Sequence, residues 1–387
     1  MSTDPPPELG LRRAALSFVT LVGGVSLAVI PAATISIASR VFPLAEQGAI
    51  AVATTVATFA GQLVFAMVVE SRLSSASTER RVTFPLWLAT LSLLAALAVA
   101  VAFDNAVVLC IALPILVASL EVGRGVSVAE RLDVREFWAA VAVGLGALIG
   151  VLAGFAGAHW ALIPLVAGIF AATLVRALPV AHTASRPEPR VMGWVVTDVA
   201  ITGGVYPLLN ATVLALLGPA QAVLFTSIST VSGLLAIPLN FMRLRLLKEH
   251  SRLDILVSVI AVAGAIVVIL ICEWSGVFGF IFHGVWTTAA TAVPLLVACL
   301  WRAASLATTI PFASLRRMGE AKLLTLLRGA VAIVTFLASV AVVATDDLVW
   351  VFAVLLLGEL LQAATYELAR RRRVAARAAG ADPGVAR

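Results

Sequence analysis

Of 387 residues, 61% are hydrophobic and only 12% charged, whereas soluble domains average about 45–50% apolar and about 25% charged residues. A soluble globular fold is excluded, and the continuous rather than alternating apolar runs exclude a β-barrel. The net charge of +6 would suggest nucleic acid in a soluble chain, but here the basic residues sit in short loops, where membrane topology accounts for them.

A polar, proline-rich stretch opens the chain, and residues 1–14 read as a cytoplasmic tail. Arg12 and Arg13 precede a first apolar span at about 15–38, too long and too well followed by others to be a cleaved signal peptide. Further spans are predicted at about 48–69, 83–103, 106–122, 137–157, 160–180, 191–217, 220–240, 253–272, 286–313, 325–344 and 348–369. Each is close to the roughly 17–25 residues that a helical crossing needs. The fold class expected is therefore an all-α polytopic membrane protein with about twelve transmembrane helices. A basic tail, residues 370–387, closes the chain. Its run Arg370 to Arg373 is placed to meet anionic lipid.

Orientation follows from the arginines. With both termini cytoplasmic, the inner segments hold Arg12, Arg13, Arg72, Arg80, Arg81, Arg124, Arg131, Arg135, Arg186, Arg190, Arg243, Arg245, Arg316 and Arg317. The outer turns hold mainly Asp104, Glu273, Asp346 and Asp347, with Arg40 the exception. This is the positive-inside pattern.

Two internal echoes indicate a duplication. Ala112 to Glu121 (ALPILVASLE) is echoed at Ala292 to Arg302 (AVPLLVACLWR), pairing span four with span ten. Thr54 to Gly61 (TTVATFAG) is echoed at Thr226 to Gly233 (TSISTVSG), pairing span two with span eight. Both shifts are six helices, and six is even, so two parallel six-helix bundles are expected. They would be an N-terminal lobe at 15–180, a cytoplasmic linker at 181–190 and a C-terminal lobe at 191–369.

Loops are short and carry no inserted aqueous domain, which counts against an enzyme. Cys110, Cys272 and Cys299 are too scattered for a disulfide framework or redox pair, and the four histidines have no metal spacing. No metal, cofactor or nucleic-acid partner is expected.

The stretch Ser39 to Gly48 (SRVFPLAEQG), followed by AIAVATTVATFAG, resembles the start of polysaccharide flippases of the MOP superfamily, with Arg40, Glu46 and Gly48 filling the arginine, acidic-turn and glycine places. Leu208 to Thr230 is similar to that family's helices seven and eight, and Phe278 to Arg317 to its helix-ten region. The resemblance implies a MATE/MOP-like fold and a monomeric, Wzx-like flippase that carries a polyprenyl-diphosphate-linked oligosaccharide across the plasma membrane, coupled to H+ or Na+. Two departures bear on ion and substrate: the polar position of helix seven, often acidic in relatives, is Asn210, and the chain is short for the family.

A flippase needs a wet, cation-lined path with acidic residues for coupling. Arg302, near the middle of its span, suits a phosphate because guanidinium matches its geometry and keeps its charge; the competing reading is an ion pair within one lobe. Arg40 is placed at the mouth of such a cavity or snorkelling to head groups. Asn210, Thr58 and Thr230 complete the expected substrate cavity, although such hydroxyls more often bond their own helix backbone. Asp198 and Glu359 are the expected ion-coupling carboxylates, Glu359 with the alternative of neutralising Arg302. Gly203, Gly204 and Pro207 after Asp198 predict a kink or local unwinding. Glu70, Glu121 and Arg124, at helix ends, are expected to face solvent. Competing functions are a major-facilitator-type carrier, a multidrug exporter on the same fold and a membrane glycan polymerase or ligase, the last lacking its outer loop.

Overall fold

The computed structural model describes residues 26–73, 81–179, 188–235, 252–318 and 320–378. Among these residues all regular structure is helical. The N-terminal tail with Arg12 and Arg13, most of the 181–190 linker, the loop carrying Arg243 and Arg245, and the last nine residues lie outside them.

The helices are α1 (Ser26–Val41), α2 (Leu44–Leu73), α3 (Leu86–Val101), α4 (Ala106–Ala129), α5 (Asp133–Phe155), α6 (Leu162–Ala177), α7 (Pro189–Leu217) and α8 (Pro219–Gly233). They continue as α9 (Arg252–Trp274), a short α10 (Val277–Phe282), α11 (Thr288–Arg317), α12 (Ala321–Val343) and α13 (Leu348–Ala378). Each of the twelve predicted spans overlaps one of the long helices, with residues 15–25 of the first span and 236–240 of the eighth outside the described residues. Seven of these are long and apolar enough to cross a membrane as described. The sequence reading missed α10, which lies where a simple outer turn was expected.

Turn chemistry fixes several boundaries. Asn105 caps α4, its Oδ1 accepting from the backbone N–H of Val107 at 2.9 Å and of Val108 at 3.2 Å. Asp347 does the same for α13 through Val349 at 2.8 Å. Gly218 separates α7 from α8 at φ 84°, a left-handed conformation that glycine adopts without strain. α4 runs on to Ala129 and α5 starts at Asp133, so only a short turn joins them.

One local expectation changes. α7 runs unbroken through Gly203, Gly204 and Pro207, so the predicted unwinding does not occur there. The irregular turn is in α2, where Ala66–Glu70 is π-helical. There α2 passes α4 so closely that a Cβ on Gly125 would lie 2.3 Å from the Phe65 ring.

By backbone proximity the chain divides into two compact units, Met1–Thr230 with Phe278–Trp286, and Val231–Val277 with Thr287–Arg387. The first is organised around α4, whose Leu109, Leu113, Leu116 and Leu120 are buried with Ile37 of α1, Ile50 of α2, Val143 of α5 and Ile169 of α6. Its α5 and α6 meet through small residues. A Cβ on Gly146 would lie 2.5 Å from the Pro164 carbonyl oxygen, and one on Gly150 would lie 2.7 Å from that of Ala161, the close approach that small residues permit between membrane helices. In the second unit α11 packs mainly on α13, and Phe312, Leu315, Leu324 and Tyr366 form a buried cluster. α13 is 31 residues long, about 46 Å at 1.5 Å per residue, so it exceeds a hydrocarbon core of about 30 Å and carries Arg370 to Arg373 beyond it.

Candidate functional site

The polar residues singled out in the sequence divide between the units. Arg40, Thr58, Asp198, Asn210 and Thr230 belong to the first, Arg302 and Glu359 to the second.

In the first unit Asn210 is a fully buried knot between α2, α7 and α8. Its Nδ2 donates to Thr226 Oγ1 at 2.8 Å, to the Ala51 carbonyl at 3.2 Å and to Thr55 Oγ1 at 3.3 Å. Its Oδ1 is buried without a protein partner. Small residues bring the helices this close: a Cβ on Gly48 would meet Pro219 at 2.7 Å, and one on Gly203 would meet Phe59 at 2.9 Å. Tyr206 of α7 stacks on Phe225 of α8, ring centroids 5.2 Å apart. Thr58 and Thr230, matched by the second sequence echo, make matching bonds. Each hydroxyl donates to the carbonyl four residues back, Thr58 to Thr54 at 3.2 Å and Thr230 to Thr226 at 2.8 Å. Thr58 is exposed and Thr230 partly so. Asp198 lies half-buried on α7, where its backbone carbonyl accepts from Thr202 Oγ1 at 2.8 Å.

Arg40 ends α1 and spends its donors on backbone. Nη1 donates to the carbonyls of Ser36 and Ile281, both at 2.7 Å, Nη2 donates to the carbonyl of Phe280, and the guanidinium lies 4.1 Å from the centre of the Phe155 ring.

In the second unit Arg302 is half-buried on α11, its guanidinium 4.0 Å from the Trp301 ring centre. Glu359 of α13 accepts from Thr308 Oγ1 of α11 at 2.9 Å. One turn on, Gln362 Nε2 donates to the hydroxyl of buried Tyr366 at 3.0 Å. Glu359, Gln362 and Tyr366, at helical spacing on α13, therefore form a polar seam, and its acidic member reaches α11. A Cβ on Gly358 would lie 2.3 Å from Thr335 Oγ1 of α12, so the helix carrying Glu359 is held tightly on its other side.

Sequence reasoning missed the most buried charges. Arg176, in the last turn of α6, is wholly buried and donates from Nε and Nη2 to both carboxylate oxygens of Glu136 at 2.9 and 2.7 Å. Arg124 of α4 stands 3.7 Å from the same carboxylate. Glu121 was expected to face solvent; it is half-buried instead, its Oε2 only 3.0 Å from where a Cβ on Gly61 would be. The sequence signal was weak, because Arg176 falls only one turn inside the end of its predicted span, where a charge either pairs or reaches water. A second miss, Glu273, was counted among outer-turn acids but is buried and accepts from Thr291 Oγ1. Among the described residues no group of three or more His, Cys, Asp and Glu could hold a metal ion.

No known protein family matches the sequence, and no curated protein does. Solved structures do match the fold. The inward-facing conformation of a multidrug resistance MATE family transporter of the MOP superfamily aligns at TM-score 0.56 and 14% identity, over 93% of this chain and 98% of that one. A MATE crystal structure in the straight conformation aligns at 0.55 and 16% identity, over 93% and 95%. MATE in complex with MaL6 aligns at 0.53 and 14% identity, over 94% and 96%. The fold is thus all-α, polytopic and MATE/MOP-like along nearly the whole chain.

Proposed function

We propose that the chain is a secondary transporter of the plasma membrane that exports amphipathic organic solutes by alternating access, coupled to H+ or Na+. The observation carrying this reading is the likeness of fold to multidrug MATE transporters over 93–94% of the chain. The reading takes the protein as a monomer with both termini cytoplasmic, a carrier rather than an enzyme, built of lobes at 15–180 and 191–369 joined by the 181–190 linker. Glu359 is its coupling carboxylate in the second unit, with the Thr308 hydroxyl holding one of its oxygens, and Asp198 is the candidate in the first. Thr58 and Thr230 present hydroxyls to solute, while Asn210 positions their helices.

A second reading, translocation of a lipid-linked oligosaccharide, is favoured by Arg302. A half-buried guanidinium in the interior of a membrane helix suits a diphosphate better than it suits an organic cation.

The deciding experiment uses the full chain in proteoliposomes. Transport of ethidium is measured under an imposed pH gradient or Na+ gradient, beside restoration of surface glycan in a flippase-null strain. Gradient-driven ethidium transport that Glu359→Gln abolishes supports the exporter. Glycan restoration without ethidium transport moves the assignment to the flippase, and failure of both removes the transport reading.

A further inference from the structure

Glu121 is an ionisable group at membrane depth to which the proposed transport cycle gives no role. From the polar turn at Asp104 and Asn105 it lies about 24 Å along α4 at 1.5 Å per residue, inside a hydrocarbon core of about 30 Å. The side chain is half-buried against α2. Its Oε2 is 3.0 Å, and its own Cβ 3.5 Å, from where a Cβ on Gly61 would be. Glycine there leaves the room that the carboxyl group occupies.

The charges around it are committed elsewhere. α4 packs on α2, α3, α5 and α6, all in the first unit. α3 has no ionisable side chain, and α2 carries Glu46 in its first turn and Glu70 and Arg72 near its other end, away from Gly61. α5 brings Asp133, Arg135 and Glu136, with Arg135 spent on the carbonyls of Leu178 and Pro179. Arg176 of α6 holds Glu136 through two nitrogens and gives its third, Nη1, to the Leu120 carbonyl at 3.4 Å. Arg124, one turn beyond Glu121 on α4 itself, points its Nε toward Glu136 at 3.7 Å and keeps 27% of its side chain exposed. Among the described residues no hydrogen bond or ion pair reaches the Glu121 carboxylate. An ionised carboxylate at this depth without a hydrogen bond is costly, and a bound proton removes that cost.

We propose that Glu121 is a proton-binding site of the first unit, and that its protonation decides which carboxylate holds Arg124. A proton from the water that Arg124 reaches neutralises Glu121, which then rests on Gly61 and leaves Arg124 to Glu136, the arrangement in this structure. When the proton returns to that water, the carboxylate takes Arg124, its i,i+3 neighbour on one helix face. Arg176 keeps Glu136, and the tie between α4 and α5 loses one member. Use of this site to drive export rests on the H+ coupling proposed above; binding of the proton does not.

The test is infrared difference spectroscopy on the full chain in lipid vesicles, between about pH 8 and about pH 5.5, where a solvated glutamate titrates little. The expected result is a protonated carboxylic-acid band gained on acidification, with a distinct component missing from Glu121→Gln. Arg124→Gln removes the cation that the ionised form takes, so it should tighten proton binding about tenfold and move the midpoint of that component to higher pH. A Glu121→Gln spectrum identical to that of the unaltered protein, with unchanged helical circular dichroism, overturns the site. A midpoint unmoved in Arg124→Gln overturns the exchange of partners. If Glu121→Gln does not fold, Glu121→Asp, which draws the carboxyl group back from Gly61, is judged by the same band: a shifted component supports the site and an unshifted one overturns it. No substrate or gradient enters this measurement. Ethidium transport can therefore fail while the proton site stands, and a missing band leaves Na+-driven export untouched.

Discussion

Arg176 grips both carboxylate oxygens of Glu136 from the opposite side of the α5–α6 pair, and neither side chain has more than 3% of its surface exposed. A bidentate pair of this kind is strong in place, yet taking both charges out of water costs nearly what the attraction returns. Removing one partner is therefore far worse than removing both. Arg176→Met leaves Glu136 with only Arg124 at 3.7 Å, and a loss of about 3–5 kcal/mol is expected. Arg176→Met with Glu136→Met should recover most of it. Thermal unfolding of the detergent-solubilised protein checks this, and a double variant no better than the single would show that the pair is a net stabiliser.

The α5–α6 contact gives a sharper contrast between two glycines on one helix. A Cβ on Gly146 would meet backbone on α6, the Pro164 carbonyl at 2.5 Å and Gly168 Cα at 2.9 Å, whereas Gly144 has nothing within 4 Å. Gly146→Ala must push the helices apart, at about 1–3 kcal/mol. Gly144→Ala should be neutral or stabilising by up to about 1 kcal/mol, since alanine is the better helix former. Side-by-side melting curves decide it.

Asn210 ties α7 to α2 and α8 through its amide N–H groups. Asn210→Ala should destabilise by about 1–3 kcal/mol by leaving buried acceptors and hydroxyls unmatched. Asn210→Asp keeps the size but loses the donors and brings an ionisable group into the same closed space, so it should be at least as damaging as alanine. Should aspartate prove harmless, the position is wet and belongs to a solute path rather than to the packing of three helices.

Most of this architecture was legible because a bilayer leaves few choices: long apolar runs must be helices, and basic loops fix their alternation. The twelve-span, all-helical class was readable on those grounds, while the MATE/MOP-like fold was implied by the resemblance of Ser39 to Gly48, Leu208 to Thr230 and Phe278 to Arg317. Side-chain partners were less so, because hydropathy reports how apolar a helix is and not which face meets which neighbour. Arg176 and Glu136 were overlooked since each lies near a span end, where a charge ordinarily reaches water. The four-residue spacing of Gly146, Gly150 and Gly154 was visible on the page, but its partner on α6 needed coordinates. Arg40 was assigned to a cavity mouth or to head groups, while its donors face the carbonyls of α10, an element no span pattern announced.

Arg302 separates the two transport readings by the sign of its effect. Its guanidinium lies over the ring of its own neighbour Trp301, a stacking contact of about 0.5–2 kcal/mol, so Arg302→Ala should remain folded. If the carried head group is phosphorylated, the guanidinium supplies its charge-matched, bidentate contact. Arg302→Ala then abolishes glycan restoration, and Arg302→Lys, with a point charge in place of the fork, restores only part. If the solute is an organic cation, the same arginine repels it, and Arg302→Ala should leave ethidium export unchanged or faster. Full glycan restoration by the alanine variant in the flippase-null strain would falsify a phosphate-binding role for this residue, and a slowed ethidium flux would mean that it positions α11 rather than meeting the solute.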